Sequence, residues 1–155
     1  MKGEQAKVDR RGRRGARMKS VRFESAESYE PDADWRRVAL AGSDRLSFEW
    51  FEKPPGHSSP THDHANEQVC TVIEGELTVY TGEEGNSDGK SDQESVTLGR
   101  FDSVWLESWE SHHVENTGTE TAIGLDVFSP GRSFDFWTDR ADGESSDNGN
   151  ANGGE

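Results

Sequence analysis

The chain carries five histidines, and they fall in two windows: His57, His62 and His64, then His112 and His113. His62-Asp63-His64 is the pair with chemical content. In an extended chain, residues i and i+2 point to one face, so two imidazoles stand side by side within reach of one cation. Gln68 lies four positions beyond His64, an even step that keeps its amide on the same side if the strand continues. Its neighbour Glu67 then faces outward. His112 must arrive from a separate strand to close the set. Neutral imidazole suits Zn, Ni, Fe or Cu, and oxygen donors suit harder ions. The expected cofactor is one divalent transition ion (Zn, Ni, Fe or Mn) on His62, His64, Gln68 and His112. His113 is expected to face away from this set, and His57, in a loop before the site, could line the entrance but reads rather as a plain loop histidine. A His-x-His pair taken singly is more often a surface feature than a ligand set.

A second group sits in Leu125-Asp126-Val127-Phe128-Ser129-Pro130-Gly131-Arg132. Asp126 and Phe128 share one strand face. A carboxylate inside an apolar barrel is costly unless it is paired or used. Arg132 could return over the mouth and grip an acidic substrate bidentately. The competing reading is a plain Asp126–Arg132 ion pair at the rim. Cys70, two residues after Gln68, shares its inward face; it touches substrate or serves as a small buried hydrophobe. Most of the five tryptophans read as core in a chain short of aliphatics. Trp109, in a loop beside His112, is the one placed at the site.

These residues need strands to hold them, and the sequence supplies strands. Short apolar or alternating runs recur at 21–23, 36–40, 46–51, 68–73, 77–81, 95–98, 103–106, 113–116 and 121–128, each bounded by Gly, Pro, Asn, Asp or Ser. Many short strands with turn signals predict an all-β sandwich or barrel. Glu74-Gly75-Glu76 and Asn116-Thr117-Gly118-Thr119 read as tight links, the latter with Gly118 free to take positive φ. Residues 82–93 form a long polar loop, and the one helix signal is a short stretch at 133–137.

Three segments follow. Residues 1–17 carry seven Lys/Arg against Glu4 and Asp9, the opposite sign to the rest; they read as a basic extension or as a mis-assigned start, with Met18 the natural first residue. Residues 18–140 form the domain. Residues 141–155 are Gly, Ser, Asn, Asp, Glu and Ala, too polar to order themselves. The net charge is −14, with 31% charged and only 29% hydrophobic residues. That field repels duplex nucleic acid and anionic membrane, so both are expected to be poor partners, the alternative being that residues 1–17 serve as a basic arm for nucleic acid. With only three lysines after Met18, the pattern reads as that of a salt-loving organism. One cysteine excludes an internal disulfide. No run nears the roughly 18 apolar residues of a membrane span, and no apolar leader follows the basic start, so the expected location is cytoplasmic.

The frame around the histidines resembles the cupin family. Its first motif, Gly-x5-His-x-His-x3,4-Glu/Gln-x6-Gly, is matched here by Gly56, His62, His64, Gln68 and Gly75 at every spacing. Its second is matched in part, by His112 and Asn116; Phe101, Glu107 and Trp109 stand where the family has Gly, Pro and Gly. The resemblance implies a single-domain cupin barrel (a double-stranded β-helix, or jelly roll) over about residues 35–132, commonly a homodimer. Asp126, Phe128 and Arg132, taken with the histidines, are similar to the small KdgF-type cupins of pectin and alginate breakdown. That implies a metal-dependent enzyme linearising 4,5-unsaturated uronates to open-chain keto acids, with Asp126 and Arg132 catalytic and Phe128, Cys70 and Trp109 at the substrate. Cys70 departs from that group, which has a polar residue there. The alternatives are a cupin dioxygenase or isomerase, or a non-catalytic metabolite-binding module anchored by its metal.

Overall fold

The computed structural model describes residues 18–82 and 93–135. The basic segment 1–17, nearly all of the polar loop 82–93, Trp137 and the tail 141–155 lie outside the described residues. A 3-10 turn at Phe23–Ser25 is followed by nine strands: β1 (Ser28–Asp32), β2 (Trp35–Ala39), β3 (Ser47–Lys53), β4 (Glu67–Glu74), β5 (Leu77–Thr81), β6 (Glu94–Leu98), β7 (Ser103–Leu106), β8 (His112–Glu115) and β9 (Ala122–Ser129). They form a six-stranded sheet in the order β1-β2-β3-β9-β4-β7 and a three-stranded sheet β6-β5-β8. All pairings are antiparallel. Among the described residues no helix is long and apolar enough to cross a membrane.

The expected strand at 21–23 is not formed. Val21 and Phe23 are exposed, and the segment turns at Phe23. The strand instead begins at Ser28, in a Ser-Tyr-Glu-Pro-Asp sequence that shows no β signature. Pro31 is tolerated because β1 is an edge strand, where one row of donors needs no partner.

The sheets pack face to face by strand alternation. In β4, Gln68, Cys70 and Val72 are buried while Glu67 and Val69 face out. In β9, Ala122, Gly124, Asp126 and Phe128 are buried. Phe51, Cys70, Val72, Leu77, Val79, Leu98, Leu106 and Ala122 make one core between the layers. Gly124 is where β9 crosses under Phe51: a Cβ there would lie 2.3 Å from the Phe51 ring. The β4–β5 link passes from one sheet to the other through Gly75 at φ +86°. Gly118 does not adopt positive φ; its N–H donates to Asn116 Oδ1 at 2.9 Å, so the Asn116 side chain makes that turn.

Of the four described tryptophans only Trp35 is buried; Trp50 is half-buried, and Trp105 and Trp109 are exposed. The expectation that most are core therefore fails. Trp105 lies on edge strand β7, pointing outward, with its Nε1–H donating to Glu67 Oε1.

A candidate metal centre and its charged wall

His62 and His64 lie on the segment before β4, and His112 opens β8. His62 and His112 exchange two backbone hydrogen bonds, of 3.0 and 2.9 Å, which holds their rings 4.4 Å apart. The bridge extends the small sheet and brings the two histidine windows together. Ligand nitrogens of His62, His64 and His112 all lie within 4.8 Å of one another, so three histidines could hold one metal ion after a small closure to bonds of about 2.0–2.1 Å.

Each ring is oriented from behind. Nδ1 of His62 lies 2.7 Å from the Pro60 carbonyl, Nδ1 of His64 2.8 Å from that of Asn66, and Nδ1 of His112 2.8 Å from that of Glu110. A carbonyl only accepts, so each Nδ1 carries the proton and each Nε2 keeps a lone pair, the tautomer of a metal ligand. Burial holds His64 and His112 below the ordinary histidine range, which keeps them neutral. The Gln68 amide has a fixed direction too: its Nε2–H donates to Asp126 Oδ1 at 2.9 Å. Its Oε1 then faces His64 Nε2 at 3.2 Å, one acceptor against another in a buried site. A cation between them satisfies both, so the donor set fits a metal ion.

Behind Gln68 runs a buried chain of charges. Asp126 Oδ2 accepts from Arg37 Nη2 at 2.6 Å, Arg37 Nε donates to Glu49 Oε1 at 2.7 Å, and Glu49 Oε2 accepts from Arg132 Nε at 2.8 Å. Burial acts against the Glu49 carboxylate, but Arg37 and Arg132 outweigh it and hold it below its ordinary range. Burial likewise opposes the Arg37 charge, and Glu49 and Asp126 outweigh it and keep it firmly protonated. The Asp126–Arg132 pair is not formed: Asp126 pairs with Arg37 and Arg132 with Glu49. Arg132 does not arch over the mouth either. It lies within the wall, its guanidinium 3.6 Å from the centroid of the Phe128 ring.

One pocket joins these groups, lined by His62, Gln68, His112, Asp126, Arg132 and Cys70, and also by Arg37 and Lys53. Phe128 is buried, edge-on to His64. Burial and then Asp126 push the Cys70 thiol up, so it stays protonated, and it packs in the core. Trp109 is outside the pocket: 66% exposed, it touches the site only through its backbone N–H, which donates to His64 O at 2.8 Å. Phe101 and Trp109 adopt φ +68° and +64°, so the left-handed turns survive where two glycines of the family motif are replaced. His113 stacks on Tyr80, away from the triad.

The sequence reading missed Arg37, Glu49 and Lys53. Strand β3, Ser-Phe-Glu-Trp-Phe-Glu-Lys, mixes polar and apolar residues on both faces. Period-two reasoning gives no sign that Glu49 and Lys53 point inward with Phe51.

The fold and this triad define a class, a small double-layered β barrel with a three-histidine cation site. The family model described as "Cupin domain" matches residues 49–128, and the chain belongs to the cupin family. None of the curated proteins matches it. Among solved structures it is similar to an RmlC-like cupin from Shewanella frigidimarina (24% identity, TM-score 0.60, covering 77% of this chain and 96% of that one). It is similar to KdgF from Halomonas sp. (17%, 0.58, 76% and 97%). It is also similar to Drosophila melanogaster CENP-C bound to CAL1 (12%, 0.59, 71% and 84%). At these identities the likeness is one of fold.

Proposed function

We propose that this protein is a metal-dependent enzyme that opens the ring of a 4,5-unsaturated uronate to give the open-chain keto acid. The observation that carries the reading is one pocket lined by two histidines of the cation-ready triad (His62 and His112), a buried carboxylate (Asp126) and two guanidiniums (Arg37, Arg132), a wall suited to an anionic sugar. The resemblance of Asp126, Phe128 and Arg132 to the KdgF-type pattern supports it, as does the fold shared with the Halomonas KdgF.

His62, His64, Gln68 and His112 hold the ion, which when bound supplies Lewis acidity to substrate oxygens. Arg132 and Arg37 bias the pocket toward a carboxylate. Phe128 packs beside His64 and sets the shape of the inner end. Asp126 takes the proton of the anomeric hydroxyl; the C1–O5 bond breaks, its electron pair moves to the ring oxygen, and C4 receives a proton. The product is an isomer of the substrate, so no oxidant is needed.

The test is to supply unsaturated monouronate to metal-loaded protein and follow the loss of ultraviolet absorbance, with Asp126→Ala and a chelated sample alongside. The expected result is turnover by the wild type and a loss of about 10²–10⁴-fold in Asp126→Ala. Equal rates in both proteins remove Asp126 from the mechanism. Saturable uronate binding without turnover would instead favour a metal-anchored binding module.

A further inference from the structure

Lys53 closes β3 with its side chain turned inward, 2% exposed, its Nζ 4.3 Å from the centroid of the Trp35 ring. It lines the pocket with Asp126 and the histidines and is unused in the mechanism above. Its Nζ lies 2.6 Å from His57 Nδ1, and His57 Nε2 lies 3.0 Å from Asp32 Oδ2. This line leads out of the protein: the His57 side chain is 11% exposed and that of Asp32 65%. The chain builds it locally. Pro54-Pro55-Gly56 turns with Gly56 at φ +77°, His57 N–H donates to Pro54 O at 3.2 Å, and Asn116 N–H donates to His57 O at 2.9 Å. The imidazole is thereby folded back over the residue four positions earlier.

The proton positions follow from the partners. An ammonium on Lys53 donates to His57 Nδ1, and Nε2–H donates to the Asp32 carboxylate. When the proton moves to Nδ1, His57 becomes an imidazolium beside Asp32 and Lys53 a neutral amine. The total charge is the same in both states, and the proton has moved from the pocket wall toward solvent.

We infer that Lys53 is a proton-transfer residue of this pocket, and that His57 and Asp32 exchange its proton with solvent. The charged and titratable groups around it are Arg37 on β2, Asp126 on β9, Cys70 on β4, Asp32 on β1 and His57. Burial and then Arg37 bring Lys53 down to about 7, against the opposing pull of Asp126, Cys70 and Asp32. Resting on the uronate reading, the inference gives the reaction its missing acid. Asp126 is assigned to the hydroxyl proton, and the donor of the proton that C4 receives is otherwise unnamed. Lys53 pairs with Ala122 and Glu49 with Asp126 in the β3–β9 register, so Lys53 and Asp126 face the pocket four residues apart along the strands, roughly 13 Å of backbone. Asp126 takes the hydroxyl proton at one end, and the Lys53 ammonium gives one to C4 at the other. The Lys53 amine is recharged through His57, and Asp126 returns its proton to water, so protons balance over a turnover.

The experiment uses full-length, metal-loaded protein labelled with 13C at lysine Cε; the chain has only five lysines. One resonance is expected to titrate near neutrality, to disappear in Lys53→Arg and to shift its midpoint in His57→Gln. On unsaturated uronate, Lys53→Arg should lower kcat by about 10²–10⁴-fold with KM little changed. Asp32→Asn, on the exposed end, should lose rate in dilute buffer and regain it with added imidazole. A Lys53 resonance with no midpoint near neutrality, or one that ignores His57→Gln, overturns the inference. If wild type turns over uronate and Lys53→Arg equals it, the relay fails while the uronate reading stands. If wild type does not turn over uronate, that reading fails and the resonance alone decides the relay.

Discussion

Gln68 joins the two halves of the pocket. One end of its amide donates to Asp126 and the other faces His64, so its orientation couples the charge chain to the ligand set. In Gln68→Glu the donor to Asp126 is replaced by a second carboxylate oxygen at a buried contact. Without metal, Gln68→Glu should lose about 1–3 kcal/mol, read by urea denaturation in chelator. Added divalent ion should narrow that gap, because it stabilises whatever state binds it and a carboxylate is a better partner for a cation than an amide. A variant as stable as wild type in chelator would mean that the amide points the other way. Gln68 was legible from its spacing after His64 and its place on the buried face of β4, although the chain bends at Ala65 and Asn66 before the strand begins at Glu67. Arg37 and Glu49 were not: each is meaningful only beside a partner far away in sequence, and an isolated Arg or Glu in a strand reads as solvent-facing.

The strands around the site were largely legible from their turn signals, whereas the corners were not. Trp109 illustrates why. Its type and its place beside His112 suggest a substrate contact, yet its backbone sits at φ +64°, in a turn whose N–H bonds to His64 O. The conformation is set by the link into β8, and the side chain is carried outward. A left-handed conformation costs an L-residue roughly 1–2 kcal/mol, and glycine escapes that cost. Trp109→Gly should therefore raise stability by about 1 kcal/mol in chemical denaturation, since the indole is two-thirds exposed and contributes little burial. The same variant should leave KM for a pocket ligand unchanged. A rise in KM with no gain in stability would return Trp109 to the pocket. Strand β1 was missed for a related reason: an edge strand with Pro31 is held by its pairing with β2 and not by its own propensity.

At the scale of the whole molecule, two populations of charge respond to different variables. The net charge of −14 belongs to the chain as a whole and repels itself over distances that salt screens; the Debye length falls from about 10 Å at 0.1 M to about 3 Å at 1 M. The Asp126–Arg37–Glu49–Arg132 chain is buried and screened far less. At pH 7 the melting temperature should rise as KCl increases from about 0.1 to about 1 M. Acid acts on the second population. Glu49 is held below its ordinary 4.5 in the folded state, so the stability it contributes is present above that value. It is lost as pH falls through the lower, folded value. Below pH 4.5 the melting temperature should thus drop even as protonation reduces the net charge, and salt should not restore it. Glu49→Gln, already uncharged, should show a shallower acid limb with the same salt response at pH 7. Full recovery of wild type by KCl in acid would assign the loss to surface repulsion and take Glu49 out of the account.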